Sequence, residues 1–163
     1  MNYFSPSPFD MAISRWLYWT DASNSNPKIE RASMDGTSRT VLHNSRLTSP
    51  TGITLDYTTQ TLYWIDADRF RIESSAVDGS NRQVVTSTVN ENFPWGIVYY
   101  SGNLYWTDRN GNRSVIYTSS ARFPSPRNLL SGFTLNFLPL GIEVVSSSRQ
   151  VLGKLNNLLS KVY

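Results

Sequence analysis

The chain contains no cysteine. That excludes disulfides, thiolate zinc sites and thiol nucleophiles within it. Its single histidine, His43, leaves little for a histidine-based metal or acid–base centre. No stretch approaches the roughly 18 uninterrupted apolar residues of a transmembrane helix. The opening MNYFSPSPFD has neither a basic start nor an apolar core and does not read as a signal peptide. Charged residues are scarce, 17% of 163, against 39% hydrophobic, which fits neither a coiled coil nor a disordered acidic tail. Fifteen basic and twelve acidic residues leave a net charge of +3, and the basic residues are scattered. A scattered excess is not the footprint of a nucleic-acid surface. Aromatic residues are abundant at 13%, with five Trp and nine Tyr. That bias, joined to many Ser and Thr, favours strands and turns over helices.

The sequence repeats. LYWTD stands at 17–21, LYWID at 62–66 and LYWTD at 104–108, so the Tyr spacing is 63 − 18 = 45 and 105 − 63 = 42. Pro-x-Gly-Ile begins at Pro50, Pro94 and Pro139, spaced 44 and 45. Met34-Asp35-Gly36-Thr37 and Val77-Asp78-Gly79-Ser80 are spaced 43. Three motifs at one period define a structural repeat.

Each unit reads as four short strands. In the second, Ile53–Tyr57 alternates apolar and polar, Leu62–Asp66 carries large aromatics, Arg71–Val77 follows, and Gln83–Thr86 comes after the Asp78-Gly79 turn. Pro94 opens the next unit, where it interrupts no ladder. Four antiparallel strands every 42–45 residues is the signature of a β-propeller blade. The expected class is therefore all-β, a partial propeller spanning 9–150. Its blades run over about 9–46, 47–90 and 91–135, with part of a fourth at 136–152 and a C-terminal tail at 153–163. The first blade is expected to open with an abbreviated inner strand at Phe9–Ser14, and the last to contain Leu140–Val145. Propellers close with about four to eight blades. The chain is accordingly expected to be a piece of a longer ring.

LYWTD followed by Ile-x-Arg, Asp-Gly-Ser/Thr, an apolar strand and Pro-x-Gly-Ile resembles the class B (YWTD) repeat of the low-density lipoprotein receptor family. The resemblance implies a six-bladed extracellular propeller. Pro27 through Gly36, with Leu55-Asp56-Tyr57, is most similar to the first propeller of the Wnt co-receptor branch. Pro139 through Glu143 and Ser148-Arg149-Gln150 are similar to that propeller's closing strand, which would make this chain blades four to six. The chain departs from the pattern in places. Arg31 is the Arg of Ile-x-Arg, but its counterparts are Ser74 and Thr118. Ser119-Ser120-Ala121 replaces the third Asp-Gly turn, and no Cys-rich EGF-like module follows the closing strand.

The resemblance implies roles for the motif residues Tyr18, Trp19, Asp21, Tyr63, Trp64, Asp66, Tyr105, Trp106, Asp108 and Arg31. The carboxylates would bind backbone or Arg and lock neighbouring blades, and the Trp residues would fill the core. Family ligands dock on the end that carries the Pro-x-Gly and post-YWTD loops. There this chain offers Ser49, Thr51, Asp68, Arg69, Phe93, Trp95, Phe137, Leu138 and Leu140, with Arg109 and Asn110. Exposed aromatics rimmed by charge suit an interface hot spot. Phe93 and Trp95 either meet ligand or plug the centre of the ring. In the Wnt co-receptor pattern a Trp and an Asn stand where Ser49 and Thr51 are. His43 is either a pH-responsive group or a solvated strand-end residue. Asn112-Arg113-Ser114 is a glycosylation sequon, expected in a loop.

The expected function is recognition of secreted or matrix protein ligands by an extracellular or plasma-membrane ectodomain of a receptor, of Wnt or endocytic type. The expected partners also include the remaining blades and an EGF-like module of a longer protein. Membrane attachment would come only through other parts of that protein. A nidogen-like matrix propeller is the alternative. A calcium-dependent lactonase-type propeller would need several carboxylates at the central channel. The inner strands offer one, Glu143, so no metal, cofactor or catalytic residue is expected.

Overall fold

The computed structural model describes residues 15–88, 93–110, 113–122, 126–133 and 141–144. They form three antiparallel sheets and one short 3-10 turn, Ala67–Arg69. The first sheet contains β1 (Trp16–Asp21), β2 (Lys28–Ser33) and β3 (Thr40–His43). The second contains β4 (Pro50–Asp56), β5 (Thr61–Asp66), β6 (Arg71–Ala76) and β7 (Gln83–Ser87). The third contains β8 (Ile97–Tyr100), β9 (Asn103–Asn110), β10 (Arg113–Ser120) and β11 (Arg127–Phe133). In each, consecutive strands are neighbours, as short hairpin connections dictate.

β5 is apolar on both faces because a sheet lies on each side of it. Along β5, Leu62 and Trp64 face the first sheet and join Ile29, Tyr18, Leu42 and Ile53. Tyr63 and Ile65 face the third sheet and meet Leu104, Trp106, Val115 and Tyr117. Leu62, Trp64, Ile65, Leu104 and Trp106 are completely buried. A strand covered on both faces loses its alternation and reads as a continuous apolar run. In β1 the same positions differ. Leu17 is 49% exposed, because no sheet covers that face among the described residues.

The sheets approach most closely at Pro-x-Gly. A Cβ on Gly52 would overlap the Trp95 carbonyl oxygen and lie 2.8 Å from the Ile97 nitrogen. A Cβ on Gly96 would lie 3.0 Å from the Gly141 Cα. The glycines of successive units thus stack on one another, and β4 packs directly against β8. The motif needs glycine because any side chain would force the inner strands apart.

Boundaries differ from the sequence reading in three places. β4 starts at Pro50, paired with Asp66, with a bulge before Ile53. β9 runs through Asn110 and β10 starts at Arg113, so Arg109 and Asn110 extend a strand instead of forming a broad loop. Residues 141–144 carry no strand, since no partner strand stands beside them among the described residues. Phe9–Ser14, the tail at 153–163 and the rest of the expected closing strand lie outside the described residues.

Gly52→Ala is expected to lower stability by about 3 kcal/mol, the upper range for overpacking a close contact. Gly141→Ala, whose Cβ meets no atom of the described residues within 4 Å, should change it by less than about 0.5 kcal/mol. Urea unfolding of both variants checks the contrast.

Candidate ligand-binding face

The strand pairing places one end of all three sheets together. Pro50 pairs with Asp66, Asp66 with Arg71 and Arg71 with Ser87, so these mark that end of the second sheet. Thr20 Oγ1 donates to the Thr51 carbonyl, and Thr51 Oγ1 donates to the Pro94 carbonyl at 3.3 Å. This chain of bonds runs across the first, second and third units. Thr51 is therefore a stitch between sheets and only half-exposed. Ser49 is likewise engaged through its backbone: its N–H donates to Asp66 Oδ1 at 2.8 Å, and its carbonyl accepts from Ala67 N at 2.8 Å.

Asp66 is fully buried and accepts three backbone contacts, two from Thr48 N at 3.2 Å and one from Ser49 N. It ties the connection between the first and second sheets to the end of β5. A buried carboxylate is tolerable only when its oxygens are satisfied in this way. Asp21 behaves differently. It accepts from Ser23 N at 3.0 Å and pairs with Lys28 at 3.3 Å, both within its own hairpin. The chain that would correspond to Thr48 and Ser49 in the first unit lies outside the described residues. Asp108 is fully buried.

Beyond Asp66, the Ala67–Arg69 turn presents Asp68 and Arg69 to solvent. Phe93 and Trp95 are 64% and 45% exposed. The backbone between them is fixed. Pro94 is buried, Trp95 N donates to the Thr107 carbonyl at 3.0 Å, Gly96 N donates to Thr107 Oγ1 at 3.0 Å, and Thr107 N returns a bond to Gly96 O at 2.9 Å. A rigid backbone holding a large exposed aromatic is pre-organised for binding, since little ordering remains to be done. Thus Ser49, Thr51, Asp68, Arg69, Phe93 and Trp95 share one end. Phe137, Leu138, Leu140 and the sequon Asn112 lie outside the described residues.

The units hold residues the motif reading passed over. Glu30 accepts from Trp19 Nε1 at 3.2 Å and from Arg39 at 2.9 and 2.8 Å, and the Arg39 guanidinium lies 5.4 Å from the Trp19 ring centroid. Arg39 holds the Glu30 carboxyl below its usual pKa. The second unit repeats the ion pair with Glu73 and Arg82 and places the Arg82 guanidinium 5.5 Å from the Trp64 ring centroid, but the Trp64 indole N–H does not bond Glu73. Arg71 adds a second ion pair to Glu73, and Arg82 also donates to the Ser45 and Arg46 carbonyls. The signal was present in the sequence, at 73 − 30 = 43 and 82 − 39 = 43. In the third unit Tyr117 stands in the Glu position and stacks on Trp106 at 5.6 Å.

His43 is no solvated strand-end residue. It is 8% exposed, lies 5.0 Å from the Trp64 ring and bonds Ser75 Oγ at 3.0 Å. The Ser75 hydroxyl also lies 2.9 Å from the Ala76 carbonyl. Burial, and then the charge of Arg82, lower its pKa to about 4, with Glu73 opposing.

Among the described residues no group of three His, Asp or Glu converges as a metal site. No helix there is long and apolar enough to cross a membrane.

Residues 15–57 match the family described as low-density lipoprotein receptor repeat class B. Protein cueball of Drosophila yakuba is 41% identical over 104 residues, 62% of this chain and 16% of that protein. Low-density lipoprotein receptor-related protein 5 of Homo sapiens is 40% identical over 94 residues, 58% of this chain and 6% of that one. Among solved structures, a chain of the nidogen/laminin complex superposes with a TM-score of 0.68 at 39% identity, covering 79% of this chain and 48% of that chain. The chain thus spans under a fifth of these curated relatives and about half of the nidogen/laminin chain.

Buried His43 sets a pH dependence. Its folded pKa of about 4 lies below the ordinary 6.5, so the unfolded chain takes up the proton first. Stability is full above about pH 7 and falls toward pH 4. The His43 share of the fall is about 3 kcal/mol. Denaturant midpoints at pH 7.5 and 4.5 should show it, and His43→Gln should flatten that part of the slope.

Proposed function

Because this chain carries the low-density lipoprotein receptor class B (YWTD) repeat, we propose that it is an extracellular protein-recognition module that binds its ligand through the end bearing Phe93, Trp95, Asp68 and Arg69. The observation that carries this reading is Trp95: a large aromatic, 45% exposed, on a backbone fixed by Thr107. Asp68 and Arg69 supply a charged rim, which favours specificity over bulk affinity. In this reading Phe93 and Trp95 meet ligand. The repeat units run over about 9–46, 47–90, 91–135 and 136–152, and Asn112 is the glycan acceptor. Further blades and an EGF-like module in a longer protein complete the working unit.

The family similarity is to receptor and matrix propellers. It supports a cell-surface or matrix location and a binding role without catalysis. A receptor of Wnt or endocytic type is the first reading. The 39% identity to a chain of the nidogen/laminin complex favours a matrix propeller as the second. Surface biotinylation of the full-length gene product separates them: a receptor is labelled on intact cells, whereas a matrix protein is recovered from medium or matrix.

The face is tested with Phe93→Ala/Trp95→Ala. Both side chains are exposed, so the melting temperature should stay within about 2 °C. Retention of secreted proteins from conditioned medium, quantified by mass spectrometry, should fall at least about tenfold. Unchanged retention would place the binding surface elsewhere.

A further inference from the structure

The three units share one frame at the end opposite Pro-x-Gly. Tyr18 pairs with Arg31, Tyr63 with Ser74 and Tyr105 with Thr118. The N–H groups of Met34, Val77 and Ala121 donate in the same way to the carbonyls of Arg15, Gln60 and Gly102. Positions therefore correspond from junction to junction. At the first, Arg31 reaches across from its own sheet and donates to the Val77 carbonyl at 3.0 Å, its guanidinium 4.3 Å from the Trp16 ring centroid. At the second, Ser74 occupies the place of Arg31 and Ala121 the place of Val77. Ser74 is too short to span the gap. A cleft of about 740 Å3 remains there, lined among others by Asp56, Tyr63, Ser74, Tyr99, Ala121 and Arg122.

Two features make this more than a gap. Tyr63 and Tyr99 stack in parallel, centroids 5.7 Å apart and planes within 1°, where the first junction has Tyr18 beside Leu55. Asp56 is 3% exposed and accepts from Thr58 N at 2.9 Å and Thr59 Oγ1 at 2.7 Å. Burial pushes its carboxyl up, but donation from Thr59, Tyr99 and the backbone outweighs that and keeps it below the usual value. It therefore stays ionised, with neutral donors around it. Arg122 also lines the cleft, but its side chain is exposed and screened by water. In the third sheet the Thr118 hydroxyl is already used on the Leu104 carbonyl at 3.1 Å.

We propose that this cleft is a docking site for the guanidinium of an arginine side chain carried by a partner protein, which takes the place that Arg31 fills at the first junction. Aromatic faces and a buried carboxylate are the groups a planar, weakly hydrated cation seeks. The volume leaves room for the peptide that carries it. The site lies at the opposite end from Trp95 and does not depend on the ligand face.

The test uses N-acetylarginine amide on the full 163-residue chain, with N-acetylcitrulline amide as the neutral isostere, followed by backbone amide NMR. Saturable shifts at Gly102, Ser74 and Ala121 are expected, with affinity for the arginine compound at least about tenfold higher. Ser74→Arg should fill the cleft from within, raise the melting temperature and abolish the shifts. Tyr99→Leu, which copies the first junction, should weaken binding at least about fivefold. Equal or absent response to the two compounds overturns the proposal, as does full binding retained in either folded variant.

Discussion

Contact between successive sheets is the constraint on which everything else depends. A single four-stranded sheet of this kind cannot bury its two apolar faces, and the LYWTD strands are apolar on both. The sheets must stack, and the stack closes down to backbone contact at the inner strands, where Gly52 meets Trp95 and Ile97, and Gly96 meets Gly141. Once that spacing is set, Trp64 and Trp106 fit completely inside. Asp66 can then hold the connecting chain, and Thr51 can reach Pro94. The exposure of the candidate face is a by-product of the same geometry. Because the Pro-x-Gly backbone is clamped by Thr107, the side chain between Pro and Gly has nowhere to go but outward.

Strand order, hairpin turns and the all-β class were legible in the sequence because they are written in short-range signals: period, aromatic content and Asp-Gly turns such as Gly79 at φ +91°. The double-sided burial of β5 was legible too, in its unbroken apolar run. What could not be read depends on which residue faces which across a junction. His43 looks like the end of a polar strand, and its burial comes from Trp64 and Ser75, 21 and 32 residues away. The Glu–Arg–Trp sets needed the repeat register applied to charged positions as well as aromatic ones. On the candidate face, the end-to-end placement followed from topology. The stitching role of Thr51 did not, since only the close approach of β4 and β8 creates it.

The units are alike in frame and unlike in filling. Glu30 and Glu73 each take an arginine that lies over a tryptophan ring, and Glu30 also takes the Trp19 indole, while Tyr117 stacks on Trp106 instead. Arg31 bridges one junction, and at the next the short Ser74 stands in its place beside a cleft. Substitutions of this kind are tolerated because backbone pairing and the buried LYWTD strands carry the fold. The variable positions are then free to take on recognition.

Hydrogen exchange on the chain tests most directly whether the sheets form one body. If contacts between sheets hold the fold, amides of Leu62–Asp66 and of Leu104–Thr107 exchange only through a shared global opening. Their protection then disappears together as urea rises. Exchange of the third sheet at a distinctly lower free energy than the second would contradict this, and would mean that each sheet stands alone.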